Sequence, residues 1–232
     1  MPFVFDPNYM LAIAPAILLA MWAQWRVHSS FAAAAEQPAP LTGAAAARHI
    51  LDSAGATDVE IEAVPGQLTD HYDPRTKVLR LSENVYGSRS LAAVGIAAHE
   101  AGHALQDAQG YSLMSIRNAA VGMANIGSSF GLIVFMIGLG MSLASVAWLG
   151  IAMFGATVFF QLVNLPVELD ASNRAKAQLV GLGIVPVESM PAVNGVLNAA
   201  AWTYVAATLQ SVLTLLYYAS YLTGGSDRDS EG

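Results

Sequence analysis

The chain has no cysteine, which excludes disulfides, thiolate metal sites and cysteine-based catalysis. It is also short of charge. Asp, Glu, Lys and Arg make up 12% of the 232 residues, about half the share of a soluble domain, while 55% are hydrophobic. That balance predicts a membrane protein with one modest polar domain. The net charge of −7 is not gathered into one run, and nothing suggests a nucleic-acid partner. There is no internal repeat and no long low-complexity tract. The Ala-rich pieces 32–35 and 44–47 are short and suit helix or linker.

Against this sparse background, one stretch carries chemistry: Ala98-His99-Glu100-Ala101-Gly102-His103-Ala104-Leu105. It holds His-Glu-x-x-His in a helical context. Helix positions four apart share a face, so His99 and His103 can aim two imidazoles at one metal ion. Zinc in catalytic sites takes such nitrogens, one further protein ligand and a water. Glu100 is one step round the helix, placed to take the water's proton as general base. The reaction attached to the pattern is metal-assisted peptide hydrolysis.

Taken in order, residues 3–26 read as a first transmembrane helix, with Trp22, Trp25 and Arg26 as an interfacial flank. A cleaved signal peptide would carry positive charge ahead of the apolar run, and Asp6 stands there instead. Residues 29–40 read as a linker. Residues 41–112 form a small polar domain, zincin-like α+β with a short sheet. Its helix over 41–54 is capped by Thr42 and stopped by Gly55. Strands follow near 59–64 and 77–82, with 70–76 as a polar loop. The strand Val78 to Leu81 is the expected free edge for an extended peptide. The motif helix starts at a Ser88 or Ser90 cap and stops at Gly110.

Residues 117–165 are nearly uncharged and about twice too long for one span, so they predict a two-span hairpin reversing near 138–142. Charges return in 166–192, where Pro166 marks a kink or a new helix start. Residues 194–222 read as a fourth transmembrane helix, and 223–232 as a disordered tail. The fold class is therefore mainly α: a multi-pass membrane protein with about four transmembrane helices and the small catalytic domain.

A hairpin that crosses out and back returns Glu168 and Asp170 to the side of His99 and His103. Either carboxylate suits zinc chemically, but on a helix they lie about 200° apart and cannot both face one ion. Ser172 is one turn beyond Glu168 on its face. His28 and His49 read as ordinary interfacial and surface residues. His71 and Tyr72, in the loop before the second strand, and Arg174 are candidate transition-state or substrate contacts.

These residues resemble a known family. The stretch from Ala98 to Gln106, the later Asn164-Leu165-Pro166-Val167-Glu168-Leu169-Asp170-Ala171-Ser172-Asn173-Arg174-Ala175 and the stretch His71-Tyr72-Asp73-Pro74-Arg75 are similar to the YugP-like family of bacterial membrane zinc metallopeptidases. The likeness covers the chain up to its tail. It implies a gluzincin-type zinc peptidase, akin to the membrane heat-shock protease and prenyl-protein protease group. That group's second motif is Glu-x-x-x-Asp, whose Glu binds zinc. Carried onto this chain, the ligand is Glu168, and Ser172 stands where the group has Asp.

The expected activity is a zinc metalloendopeptidase with one zinc per chain, a peptide or protein substrate and a lipid bilayer as its surroundings. Nine of the ten Lys and Arg, Arg26 through Lys176, fall on the catalytic side, which the positive-inside rule puts in the cytoplasm of a bacterial inner membrane. Two other readings compete. A site-2-type intramembrane protease would use Asp170 as its ligand. A membrane adaptor would bind metal without turnover.

Overall fold

The computed structural model describes residues 6–226. The described residues are mainly α-helical, with four helices among them long and apolar enough to cross a membrane and one small sheet. The chain divides into two compact units, which are taken separately.

The apolar unit takes in α1 (Pro7–Ala35) as far as Trp22, residues 116–165, and the part of α7 (Met190–Ser226) from Thr203 on. Its hairpin is α5 (Ser112–Gly140) and the first part of α6 (Ala144–Gly181), reversing through Met141, Ser142 and Leu143. Each of the two helices is long and apolar enough to cross a membrane, and the turn between them falls at 141–143. Glycines bring the two helices together. A Cβ on Gly127, Gly138 or Gly150 would lie 2.2 Å from a backbone atom of the other helix. Small residues let backbones touch in this way where lipid gives helices no hydrophobic reason to associate. The outward faces are apolar, with Ile126, Phe130, Ile133, Trp148 and Phe159 exposed, as a lipid-facing surface requires. Inside the unit, Arg117 Nε donates to Asn164 Oδ1 at 2.9 Å, so the arginine at the start of α5 has a polar partner on α6.

The polar unit comprises Ala23–Ser115 and Pro166–Trp202. In it, α2 (Gly43–Ser53) starts at Thr42, whose hydroxyl accepts from the Ala45 N–H, and stops before Gly55 at φ +76°. The sheet has three strands: β1 (Glu60–Val64), β2 (His71–Asp73) and β3 (Val78–Ser82), in the order β1-β3-β2. Here β1 runs parallel to β3 and β2 antiparallel to it, with Tyr72 opposite Leu79. Val78 to Leu81 is thus the central strand and not a free edge. Three residues of the expected polar loop pair with it, and a strand that short shows no alternation to read. Burial agrees: Leu79 and Leu81 are fully buried on β3, while His71 on β2 is exposed. The one-turn α3 (Glu83–Tyr86) follows, then α4 (Leu91–Ala108), the motif helix. Ser90 is its cap, accepting from the Ala93 N–H, and Gly110 at φ +64° lies just beyond its end.

Several boundaries move. Helix α1 runs on to Ala35, through most of the expected linker, because Ser29 to Ala35 holds nothing that breaks a helix and Pro38 is the first stop. Pro166 neither ends α6 nor starts a new helix. The 38 residues of α6 run through it. At 1.5 Å per residue the apolar part of α6, residues 144–165, is about 33 Å long, enough for one hydrocarbon layer. The charged residues follow on the same helix. Before α7 stands a 3₁₀ turn (Val187–Ser189), and the last helix starts four residues before the expected Asn194. It extends to Ser226, beyond the expected start of the tail at 223. The rest of that tail, 227–232, lies outside the described residues, as do residues 3–5 of the first span.

Candidate metal centre

Small residues create the site. On α4, Ala98, Ala101 and Ala104 are fully buried. On α6, so are Val167, Ala171 and Ala175. Between them, Gly102 lies against the Ala171 carbonyl so closely that a Cβ would be 2.6 Å from its oxygen. Any other residue at 102 would hold the helices apart. This contact sits between His99 and His103 on one helix and three residues past Glu168 on the other, so all three side chains meet beside it.

The meeting is tight. One ligand atom each from His99, His103 and Glu168 lies within 4.8 Å of the others. The Nε2 atoms of both histidines face the same carboxylate oxygen, Glu168 Oε2, at 3.2 Å for His99 and 3.4 Å for His103. The rings stand nearly perpendicular, 4.8 Å apart at their centroids. Nitrogen and oxygen ligands about 2.0–2.1 Å from a tetrahedral zinc stand about 3.3 Å from one another. The observed spacings match that value. Two imidazoles and a carboxylate also form a common donor set of catalytic zinc. Glu168 is 3% exposed, and a carboxylate so buried requires positive charge beside it. The residues present therefore fit a zinc ion. Burial works against charge on the His103 imidazole, but the Glu168 carboxylate outweighs it, and the net displacement of its pKa is upward.

The Nδ1 atoms of the two histidines face different supports. Ser172 Oγ is 3.1 Å from His99 Nδ1, and Gln106 Oε1 is 2.9 Å from His103 Nδ1. Glu100 is buried on α4, between the two histidines in sequence. Asp170 does not join the three. Its carboxylate accepts from Gln106 Nε2 and from Arg174 Nε. Arg174 also donates to Gln109 and lies over the Tyr111 ring, 5.6 Å from its centroid. Tyr72 is buried and donates its hydroxyl to Asp107 Oδ2 at 2.8 Å. Burial first, and then the Asp107 carboxylate, push its phenol up. His71 is exposed on β2 with Nδ1 2.8 Å from the Thr69 carbonyl. Of the sequence candidates, then, the structure gathers His99, His103 and Glu168 with Glu100 alongside, and gives Tyr72 and Arg174 bonding partners of their own. Gln106 and the support role of Asp170 escape a reading of sequence, because their bonds link residues more than 60 positions apart. The local signals are that Gln106 lies one turn beyond His103 and Arg174 one turn beyond Asp170.

A family model described as "Putative neutral zinc metallopeptidase" matches residues 9–223. The chain is 43% identical over 216 residues to a protein of Bacillus subtilis (strain 168) named "Putative membrane protease YugP", covering 92% of this chain and 96% of that one. No solved structure matches. The match over nearly its whole length makes this chain a member of the family described as "Putative neutral zinc metallopeptidase".

Proposed function

We propose that the protein is a membrane-bound, zinc-dependent endopeptidase in which His99, His103 and Glu168 hold one zinc ion and Glu100 is the general base. The observation that carries this is the convergence of both Nε2 atoms on Glu168 Oε2 at zinc-ligand spacing, with Glu100 on the same helix. A zinc ion held there would lower the pKa of water toward neutrality and polarise the scissile carbonyl. Glu100 accepts the proton of the attacking water and passes it to the leaving amine. Its burial favours that role, since a carboxylate sheltered from bulk water keeps the proton for the reaction.

An extended substrate has a sheet edge at β2, which pairs with β3 on one side only. His71 stands exposed on that strand and is the candidate substrate contact. Tyr72 and Arg174 act by supporting α4 and Asp170, since their polar groups already bond there. The catalytic side faces the cytoplasm of a bacterial plasma membrane. This rests on the basic residues near the spans, Arg26, Arg117, Arg174 and Lys176. The bonds Asp170 makes to Gln106 and Arg174 speak against the intramembrane reading, in which it would be a ligand.

Replacing Glu100 by Gln tests the base. The variant should keep its zinc and lose about 10²–10⁴-fold in the rate of hydrolysis of an unfolded protein such as casein. Retained turnover would remove Glu100 from the mechanism. Zinc binding with no cleavage by the parent chain would favour the adaptor.

A further inference from the structure

Gln106 is fully buried, and every polar atom of its amide is used. Its Nε2 donates to the Val167 carbonyl and to Asp170 Oδ2, both at 2.8 Å. Its Oε1 faces His103 Nδ1 at 2.9 Å. A backbone carbonyl and a carboxylate only accept, so the amide has one orientation. Turned over, it would set its oxygen against two acceptors and its NH₂ toward His103. With the amide fixed, the atom facing His103 is an acceptor, and Nδ1 of that histidine must carry the proton. The lone pair of a neutral His103 is then on Nε2, the atom 3.4 Å from Glu168 Oε2. Two lone pairs facing one another at that distance repel unless a proton or a metal cation lies between them.

We infer that Gln106 is a positioning residue of the metal centre: its amide, anchored on Val167 and Asp170, fixes His103 in the tautomer that offers Nε2 to the metal. This rests on the reading of His103 as a zinc ligand. It also accounts for Asp170, a carboxylate on the site's helix that is not among the three converging groups. Asp170 holds Gln106 in place and is itself held by Arg174. His103 is thus tied to α6 twice, through Glu168 at Nε2 and through Gln106 at Nδ1. His99 has only a hydroxyl, that of Ser172, at its own Nδ1. Partners of this kind orient a ligating imidazole and raise its basicity, and their loss commonly weakens metal binding by about 10–100-fold.

The test is zinc affinity of the full chain in detergent, by competition with a chromophoric chelator, for the parent and for Gln106→Leu, which keeps the buried bulk but neither accepts nor donates. The inference predicts about a 10–100-fold weaker zinc complex for Gln106→Leu, with unchanged helical circular dichroism. Unchanged affinity in a folded Gln106→Leu chain overturns it while leaving the zinc reading intact. No zinc on the parent overturns the zinc reading, and the inference with it. Where Gln106→Leu does not fold, nitrogen NMR of the zinc-loaded, histidine-labelled parent decides. His103 with a protonated Nδ1 and a metal-bound Nε2 supports the assignment, a readout that mere packing by Gln106 would not set. Metal on Nδ1 of His103 overturns it.

Discussion

Gly102 on α4 touches the backbone of Ala171 on α6 so closely that a methyl group in its place would stand 2.6 Å from the Ala171 oxygen. The neighbour is backbone, so it cannot swing aside. Gly102→Ala must push the helices apart or bend one of them. Overpacking of this kind costs about 1–3 kcal/mol. Because the contact lies between the histidines and Glu168, the larger effect falls on the metal. Zinc affinity should drop by about tenfold or more, the order seen when the groups orienting a site are disturbed. A Gly102→Ala chain that binds zinc as the parent does would show that this contact does not set the geometry.

Ser172 lies one turn beyond Glu168 on α6, and its hydroxyl reaches His99 Nδ1 at 3.1 Å. A hydroxyl orients the imidazole without adding negative charge. Ser172→Ala should weaken zinc by about tenfold. Ser172→Asp should hold zinc at least as well as the parent, since a carboxylate accepting from Nδ1–H makes Nε2 more basic. Chelator competition measures both. Equal affinity for Ser172→Ala and the parent would show that the hydroxyl does no orienting.

Tyr72 ties the sheet to the end of α4 through Asp107. Burial and that carboxylate hold its pKa above the ordinary 10.0, so the folded state keeps the phenol proton where an unfolded chain releases it. The folded state binds more protons there, and this contribution to stability is fully present below pH 10 and fades as pH rises further. Ultraviolet titration of tyrosinate in the folded chain should therefore give the same curve near pH 10 for the parent and for Tyr72→Phe. The same variant should lose about 1.5–3 kcal/mol, the worth of a hydrogen bond to a charged group, in the denaturant unfolding of the polar unit. A tyrosinate signal near pH 10 that disappears in Tyr72→Phe would contradict this environment.

Much of this arrangement was legible in sequence where the signals were local or fixed by length. Thr42 and Gly55 bracket α2, Ser90 and Gly110 bracket α4, and the uncharged run before Pro166 was too long for one span and too short for three. The same length argument returned Glu168 and Asp170 to the side of the histidines, and the expectation of Glu168 over Asp170 came from the resemblance. What stayed hidden depends on packing. Strand β2 is three polar residues whose pairing to Val78, Leu79 and Arg80 leaves no periodic trace. The end of α1 and the continuity of α6 through Pro166 were obscured because Ala-rich and Pro166-containing segments can continue a helix when neighbours support them. The 200° between Glu168 and Asp170 says that only one can face the ion. Which one does so depends on how Ala171 meets Gly102, and Gln106 acquires a role only once that contact forms.

The central claim is that Glu168, not Asp170, completes a zinc site with His99 and His103. The most direct test is bound zinc per chain in detergent for the parent, Glu168→Gln and Asp170→Asn, prepared side by side after zinc-replete expression. The account predicts about one zinc on the parent, loss with Glu168→Gln and retention with Asp170→Asn, whose side-chain oxygen can still accept from Gln106. Zinc kept by Glu168→Gln and lost from Asp170→Asn, or no zinc on the parent at all, would contradict it.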